Sequence, residues 1–327
     1  MTQSLDQHFI RFADLLEKNP TYAPMRHHQP PMWDLTRVKG GVPAELRGVI
    51  SVAHIPTINF GPKDVDAAVP EGTPLVEIDS NGAFVAAASS ARFAHCALTH
   101  TGPLELPEKG QLPGGYMLMD AHPWGMGVPG SPLGNGRPKL TTEGRVWVPH
   151  TVGQMLRDLT YGASWTPGGH WPDCTVYDSW TADVVPFELW AGVVRDTRAA
   201  AKIGGDKATG ERIKVAYSQA VQMWSTPPDP KGTPVEKREK KNKAYRPDWY
   251  AALRGQHFAN MWRRAYTAAV VHRMPPIRVW DTDRMIFAEH HLLQLLGANK
   301  SPVRLDETGI QLGTFKRLSR WYAGIEV

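Results

Sequence analysis

Three aspartates combine residue type and setting in a way that could do chemistry. Asp79 closes the run Leu75-Val-Glu-Ile-Asp79. Strand alternation puts Val76 and Ile78 on one side and Glu77 and Asp79 on the other. Asp281 and Asp283 form an Asp-x-Asp inside Ile277-Arg-Val-Trp-Asp-Thr-Asp-Arg-Met-Ile-Phe287. That run reads as a hairpin with both carboxylates on one face of its tip. Three converging carboxylates repel one another, and one takes a proton unless a cation sits among them. Mg²⁺ (or Mn²⁺) accepts such oxygen ligands and leaves positions for water and phosphate. Two such ions stabilise both the attacking and the leaving oxygen of a phosphoryl displacement. Taken singly, each aspartate has the plainer reading of a turn or helix-capping residue.

A set of cations follows in the chain. Lys214 and Ser218 are four residues apart in a helical pattern and share a face, as gripping one ligand requires. Lys202 lies twelve residues before Lys214, with Lys207 and Arg212 between them. Between Glu236 and Arg264, nine Lys or Arg stand against three acids, which is more than the whole chain's net charge of +5. Arg254, Arg263 and Arg264 belong to this segment. It predicts an anionic partner, met through salt-sensitive, sequence-independent contacts to phosphates.

The elements that must position these residues are legible in outline. Strands are predicted at Gly48–His54, Leu75–Asp79, Arg145–Pro149 and Thr175–Trp180, with an Ala-rich helix from Gly82 to about Leu98 and a short helix at Thr151–Leu159. The Gly- and Pro-rich residues 101–140 predict loops and short strands. Two antiparallel helices are expected from Pro186 to about Met223, broken at Ile203–Gly205. A Pro- and Lys-rich insertion follows at 226–247, then a long helix over Trp249–His272 carrying Leu253, Phe258, Met261, Trp262 and Ala265 at helical spacing. The fold class is α+β, with antiparallel strands carrying the acids and helices packed on one side.

Composition excludes several classes. At 327 residues with 42% apolar and 21% charged residues, the chain is globular rather than disordered. Cys96 and Cys174 are too few for a disulfide scaffold or a cysteine zinc site. The adjacent pairs His27-His28 and His290-His291 point their rings apart and make a poor metal site. Residues 1–20 read as a short amphipathic helix without a signal-peptide core. No stretch reaches the run of about 20 apolar residues that spans a bilayer. The expected location is cytoplasmic and nucleoid-associated, with no membrane partner.

Read in order, these segments resemble the family B DNA polymerases, in particular the protein-primed phage and plasmid branch. That family's first motif is Asp, two spacers and Ser-Leu-Tyr-Pro, often with Asn two after the Asp. Here Asp79, Asn81 and Phe84 stand at the matching offsets, with Gly82-Ala83 and Val85 at the remaining positions. The family's Tyr-Gly-Asp-Thr-Asp-Ser is matched by Val279-Trp280-Asp281-Thr282-Asp283-Arg284. Its Lys, three spacers and Asn-Ser-x-Tyr-Gly is matched by Lys214 to Gln222, keeping the Lys and a small polar pair, Ser218-Gln219. Asp306 to Lys316 is similar to a later segment of the family that ends in a Lys near the primer strand.

The resemblance implies a palm (74–185 and 249–327), a two-helix fingers subdomain (186–225), a basic insertion (226–248) and an N-terminal extension (1–73). It implies Asp79, Asp281 and Asp283 as catalytic metal ligands, and Lys202, Lys214, Ser218 and Arg212 around the incoming triphosphate. Phe84 would lie beneath the sugar, and Arg254, Arg263, Arg264 and Lys316 would lie along DNA. Expected partners are a DNA primer–template, dNTPs, and a terminal protein, helicase or other replication protein. The 74 residues before the first motif are too few for the family's exonuclease, and those after the hairpin too few for a full thumb. Short synthesis without proofreading is therefore expected, as in priming, gap filling or end patching. Two other readings stand beside it: a catalytically inactive polymerase-like DNA-binding or end-capping protein, and a metal-dependent nuclease that would not need Lys202 and Lys214.

Overall fold

The computed structural model describes residues 44–94, 97–124, 129–162, 171–225, 246–280 and 283–325. Two four-stranded antiparallel sheets share a core. The first contains β1 (Pro74–Ser80), β8 (Arg278–Trp280), β9 (Arg284–Ala288) and β10 (Phe315–Tyr322), in the order β10-β1-β9-β8. β1 is central, pairing Asp79 with Lys316 on one side and with Arg284 on the other. The second sheet contains β3 (Thr99–His100), β4 (Gly114–Asp120), β5 (Arg145–Pro149) and β6 (Val176–Ala182), in the order β3-β6-β4-β5. A short pair, β2 (Arg92–Ala94) with β7 (Val184–Pro186), lies beside them.

The helices are α1 (Ala44–Val52), α2 (Ala83–Ser90), α3 (His150–Tyr161), α4 (Glu188–Ile203), α5 (Lys207–Ser225), α6 (Pro247–Tyr266) and α7 (Glu289–Gly297). On α6 the residues Phe258, Met261, Trp262 and Ala265 fall on one side at 100° per residue. All are buried in a cluster with Val76 and Ile78 of β1, Met117 of β4, and Val146 and Val148 of β5. One helix stripe thus joins the two sheets. Gly255, on the flank of α6, allows α3 to close in. A Cβ there would sit 2.4 Å from the Thr151 hydroxyl oxygen, and that hydroxyl donates to the Ala252 carbonyl.

A second cluster anchors α4 and α5. Phe93, Phe187, Trp224 and Leu253 are buried together with Val85 and Ala88 of α2. Phe187 and Trp249 meet edge to face at 4.8 Å, and Trp224 and Trp249 at 5.4 Å. Such aromatic pairs add to the burial of their own area.

The sequence expectation of a strand at Gly48–His54 is corrected. This segment is the end of α1, because Leu46, Val49, Ile50 and Ala53 at helical spacing pack against Leu98, Tyr116 and Trp180. The Ala-rich helix stops at Ser90 rather than continuing to Leu98, giving way to β2. The loop-like residues 101–140 include the seven-residue strand β4. The expected amphipathic helix at residues 1–20 and most of the basic insertion lie outside the described residues, as does Cys96. Among the described residues, no helix is long and apolar enough to cross a membrane.

Candidate active site

β1 delivers its acids to the sheet face opposite the core. Val76 and Ile78 are buried, while the Glu77 and Asp79 side chains retain 14% and 18% exposure. One residue beyond Asp79, the Ser80 amide donates to the Asp283 carbonyl at 2.9 Å. Asp79 and Asp283 therefore sit at adjoining strand ends. Asp281 and Thr282 lie outside the described residues. Among the described residues, no group of three or more His, Cys, Asp or Glu is arranged to hold a metal.

The turn after Asp79 is tightly specified. Gly82 adopts φ +57°, and a Cβ there would meet Leu312 Cδ2 at 2.5 Å, with an Arg198 guanidinium nitrogen at 3.4 Å. Asn81 is 2% exposed. Its side-chain amide donates to the Asp306 carbonyl and to the Thr314 hydroxyl, both at 3.1 Å. Its backbone accepts from the Gly313 amide and donates to the Thr314 carbonyl. This one residue fastens the β1 terminus to the 306–314 loop.

Cations surround the acids. Lys316 Nζ lies 3.3 Å from Asp79 Oδ2. Arg284 lies 3.7 Å from Glu77, which also accepts from Trp280 Nε1 at 3.1 Å and from the Ser319 hydroxyl at 3.2 Å. The bulky Arg284 thus balances a further carboxylate on the same face. From α4, Lys202 donates to the Thr308 and Gly309 carbonyls at 3.0 and 2.9 Å. Burial lowers its pKa, with nearby Arg198 and Lys316 adding to the effect and Asp306 opposing it.

The sequence reading missed two neighbours. Arg198, one helical turn before Lys202, reaches Gly82 and has a buried Nη1 with no hydrogen-bond partner among the described residues. Its spacing of four from Lys202 was the available signal. Tyr217 on α5 has its hydroxyl pKa raised by burial, lowered by Arg198, and raised by Glu211 and Asp79. It stood in the sequence as a spacer of the Lys214 motif.

The other predicted residues divide. Lys214 and Ser218 are exposed on α5; Arg212 is on the same helix, but its side chain lies outside those described. Phe84 packs edge to face on His257 at 5.3 Å, with the Arg254 guanidinium 5.6 Å from its ring centre. Both ring nitrogens of His257 are buried and unpartnered among the described residues, and burial drives its pKa down to about 3. Arg263 donates to Asp158 at 2.8 Å, well away from the acids. Arg264 turns inward, donates to the Gly313 carbonyl and lies 4.9 Å from the Phe315 ring centre, with burial lowering its pKa to about 10. Its contacts make it a structural tie in this conformation.

The arrangement of sheets and helices is similar to that of a DNA polymerase, a likeness of fold alone. The particular neighbours are structures of Phi29 DNA polymerase. The complex with single-stranded DNA superposes with a TM-score of 0.51 at 13% identity, covering 84% of this chain and 47% of that one. The complex with primer–template DNA gives 0.49 at 10% identity, and the orthorhombic crystal form 0.48 at 11%, each covering 85% of this chain and 48% of the other. The chain thus spans about half the length of these structures. No protein-family model matches the chain, and no curated protein matches it.

Proposed function

We propose that this chain is a DNA-dependent nucleotidyltransferase that extends a primer by two-metal catalysis over short distances and lacks proofreading. The observation that supports the reading is the main-chain bond from Ser80 to Asp283, which brings the strand ends bearing Asp79 and Asp283 side by side, with Lys316 on Asp79 and Arg198 of α4 at Gly82. Residues 74–185 and 249–327 would form the palm and 186–225 the fingers. The likeness to Phi29 DNA polymerase supports the fold on which this rests.

The donor set suits Mg²⁺ or Mn²⁺, because carboxylate oxygens on two strand ends are hard ligands. Asp79 and Asp283, with Asp281 beside them, would hold the ions. When bound, these would neutralise phosphate charge and activate the attacking hydroxyl. The protein's own groups would do the rest. Lys202, Lys214 and Arg198 would orient a triphosphate, with Arg212 and Ser218 beside them. Phe84 would close the space a 2′-OH needs. Lys316 would exchange Asp79 for a strand phosphate near the primer end. Arg254, beside Phe84, is the α6 arginine best placed for a DNA contact, whereas Arg263 and Arg264 are engaged elsewhere.

A specific observation favours the non-catalytic alternative. Lys316 and Lys202 are each held by internal partners, as they would be in a protein that only binds DNA or caps its ends. The deciding experiment supplies a labelled primer–template, dNTPs and Mg²⁺ or Mn²⁺ to wild type and to Asp283→Ala. Extension by wild type alone supports the proposal. Shortening points to a nuclease, and binding without turnover to the DNA-binding alternative.

A further inference from the structure

On α6, Gln256, Asn260 and Arg263 lie within about 60° of one another at 100° per residue, opposite the stripe that faces the sheets. Of these, Gln256 and Arg263 line a cleft of about 340 Å³ between α6, α3 and the end of α2. This is within the range of small-molecule sites. Its walls include Arg92, Gln111, Gln154, Asp158, Gln256 and Arg263, and no aromatic side chain lines it among the described residues.

The charge here does not balance. Asp158 Oδ1 accepts from Arg157 at 2.9 Å and from Gln154 at 3.2 Å, and its Oδ2 accepts from Arg263 at 2.8 Å. Two guanidinium groups thus already satisfy Asp158, the only acid lining the cleft among the described residues. Arg92 remains. It has no carboxylate partner among the described residues, and its buried Nη1 donates to nothing there. A buried guanidinium nitrogen without an acceptor is costly, so it calls for a partner. The Gln154 amide is engaged by Gly110, Asp158 and the Leu112 amide, but Gln111 and Gln256 each use one amide N–H, on the Leu112 carbonyl and on Asn260 Oδ1, and keep the second N–H and the oxygen for hydroxyl and ether oxygens. With no ring to stack on, the cleft offers little to a nucleobase.

We propose that this cleft binds a sugar–phosphate unit, its phosphate on Arg92 and its sugar oxygens among the glutamine amides. The unit could come from a nucleic-acid strand backbone or from a free sugar phosphate. Because the cleft lies behind α6, this site is independent of catalysis at Asp79 and Asp283.

The test is calorimetric titration of the full chain in EDTA, which keeps divalent ions off the aspartates. The probes are 2-deoxyribose 5-phosphate and a short single strand of abasic nucleotides. Saturable binding is expected, weakened at least tenfold by Arg92→Gln and unchanged for the free sugar phosphate by Asp79→Asn. A larger loss of affinity for the strand than for the free sugar phosphate on Arg92→Gln assigns the backbone as the source, and the reverse assigns the small molecule. The strand also meets the basic segment after Glu236, so only the difference between wild type and Arg92→Gln is read for it. No saturable binding of either probe, or equal binding by wild type and Arg92→Gln, overturns the proposal. So does equal weakening of the sugar phosphate by Arg92→Gln and Asp79→Asn. Should Arg92→Gln not fold, Gln256→Glu adds a repelling charge on the exposed side of α6 and must weaken binding; unchanged affinity overturns the proposal.

Discussion

The two four-stranded sheets share one core yet spend their other faces differently. In the first, the face away from the core carries Glu77, Asp79, Arg284, Lys316 and Ser319, cross-paired and partly open to solvent. In the second, the central strand β4 is buried along most of its length, with Tyr116, Met117 and Met119 each at most 1% exposed. Its polar contacts, such as Tyr177 with Asp120, sit at the margin. Charge is concentrated where one sheet can meet a ligand, and packing dominates in the sheet that supports it.

That division can be broken by substitution. Asp283→Ala or Asp79→Asn should reduce primer extension on the order of 10³-fold, the scale of losing a metal's several kcal/mol of charge stabilisation. The urea midpoint should change little, since the partly exposed Lys316–Asp79 pair contributes at most about 1 kcal/mol. Met117→Ala in the second sheet should do the reverse. It should cost about 2–5 kcal/mol of stability in urea titration and leave extension per folded molecule unchanged. Equal effects on both readouts from either variant would erase the distinction.

Acid sharpens the comparison. His150 is buried behind β4, accepting from the Gly115 amide through Nδ1 and facing the Arg92 carbonyl through Nε2. Burial lowers its pKa to about 4, and that of His257 to about 3. Both folded values lie below the ordinary value near 6.5, so the unfolded chain binds protons first as pH falls. Stability is then level above about pH 6.5 and declines below it, by at most about 1.4 kcal/mol per pH unit for each histidine. Urea midpoints at pH 7 and pH 5 should differ accordingly. His257→Leu, which removes a buried ring with unpartnered nitrogens, should remove about half of the decline. The smallest effect is expected at Lys316. Its ammonium competes with any cation for Asp79, so Lys316→Gln should tighten Mn²⁺ binding, up to about fivefold given the worth of a half-exposed ion pair. Weakened Mn²⁺ binding would show that Lys316 organises the acids rather than opposing the metal.

Where sequence reading succeeded, the signal was local. β5 falls on the expected residues, and the α4–α5 break and the hairpin flanks follow directly from apolar period and glycine punctuation. At α1, β-branched residues suggested a strand, but the decisive contacts, to Leu98 and Trp180, are distant in the chain. The pairing of β10 with β1 likewise joins segments more than two hundred residues apart and leaves no local pattern. The acids and lysines of the candidate site stood out by type and spacing. The inward turn of Arg264 and the engagement of Arg263 by Asp158 were not, because a helical repeat gives spacing but not the identity of the facing wall.

The Asn81 tie has a consequence for how the molecule matures. Three of its partners come from residues 306–314, and Lys316 arrives on the strand that follows. A nascent chain on the ribosome would carry Asp79 and the α4 cations long before those partners were synthesised, so its acidic centre could take shape only after translation had passed residue 316. Contacts of such long sequence separation form late, which would keep a half-made chain from presenting a complete acidic centre.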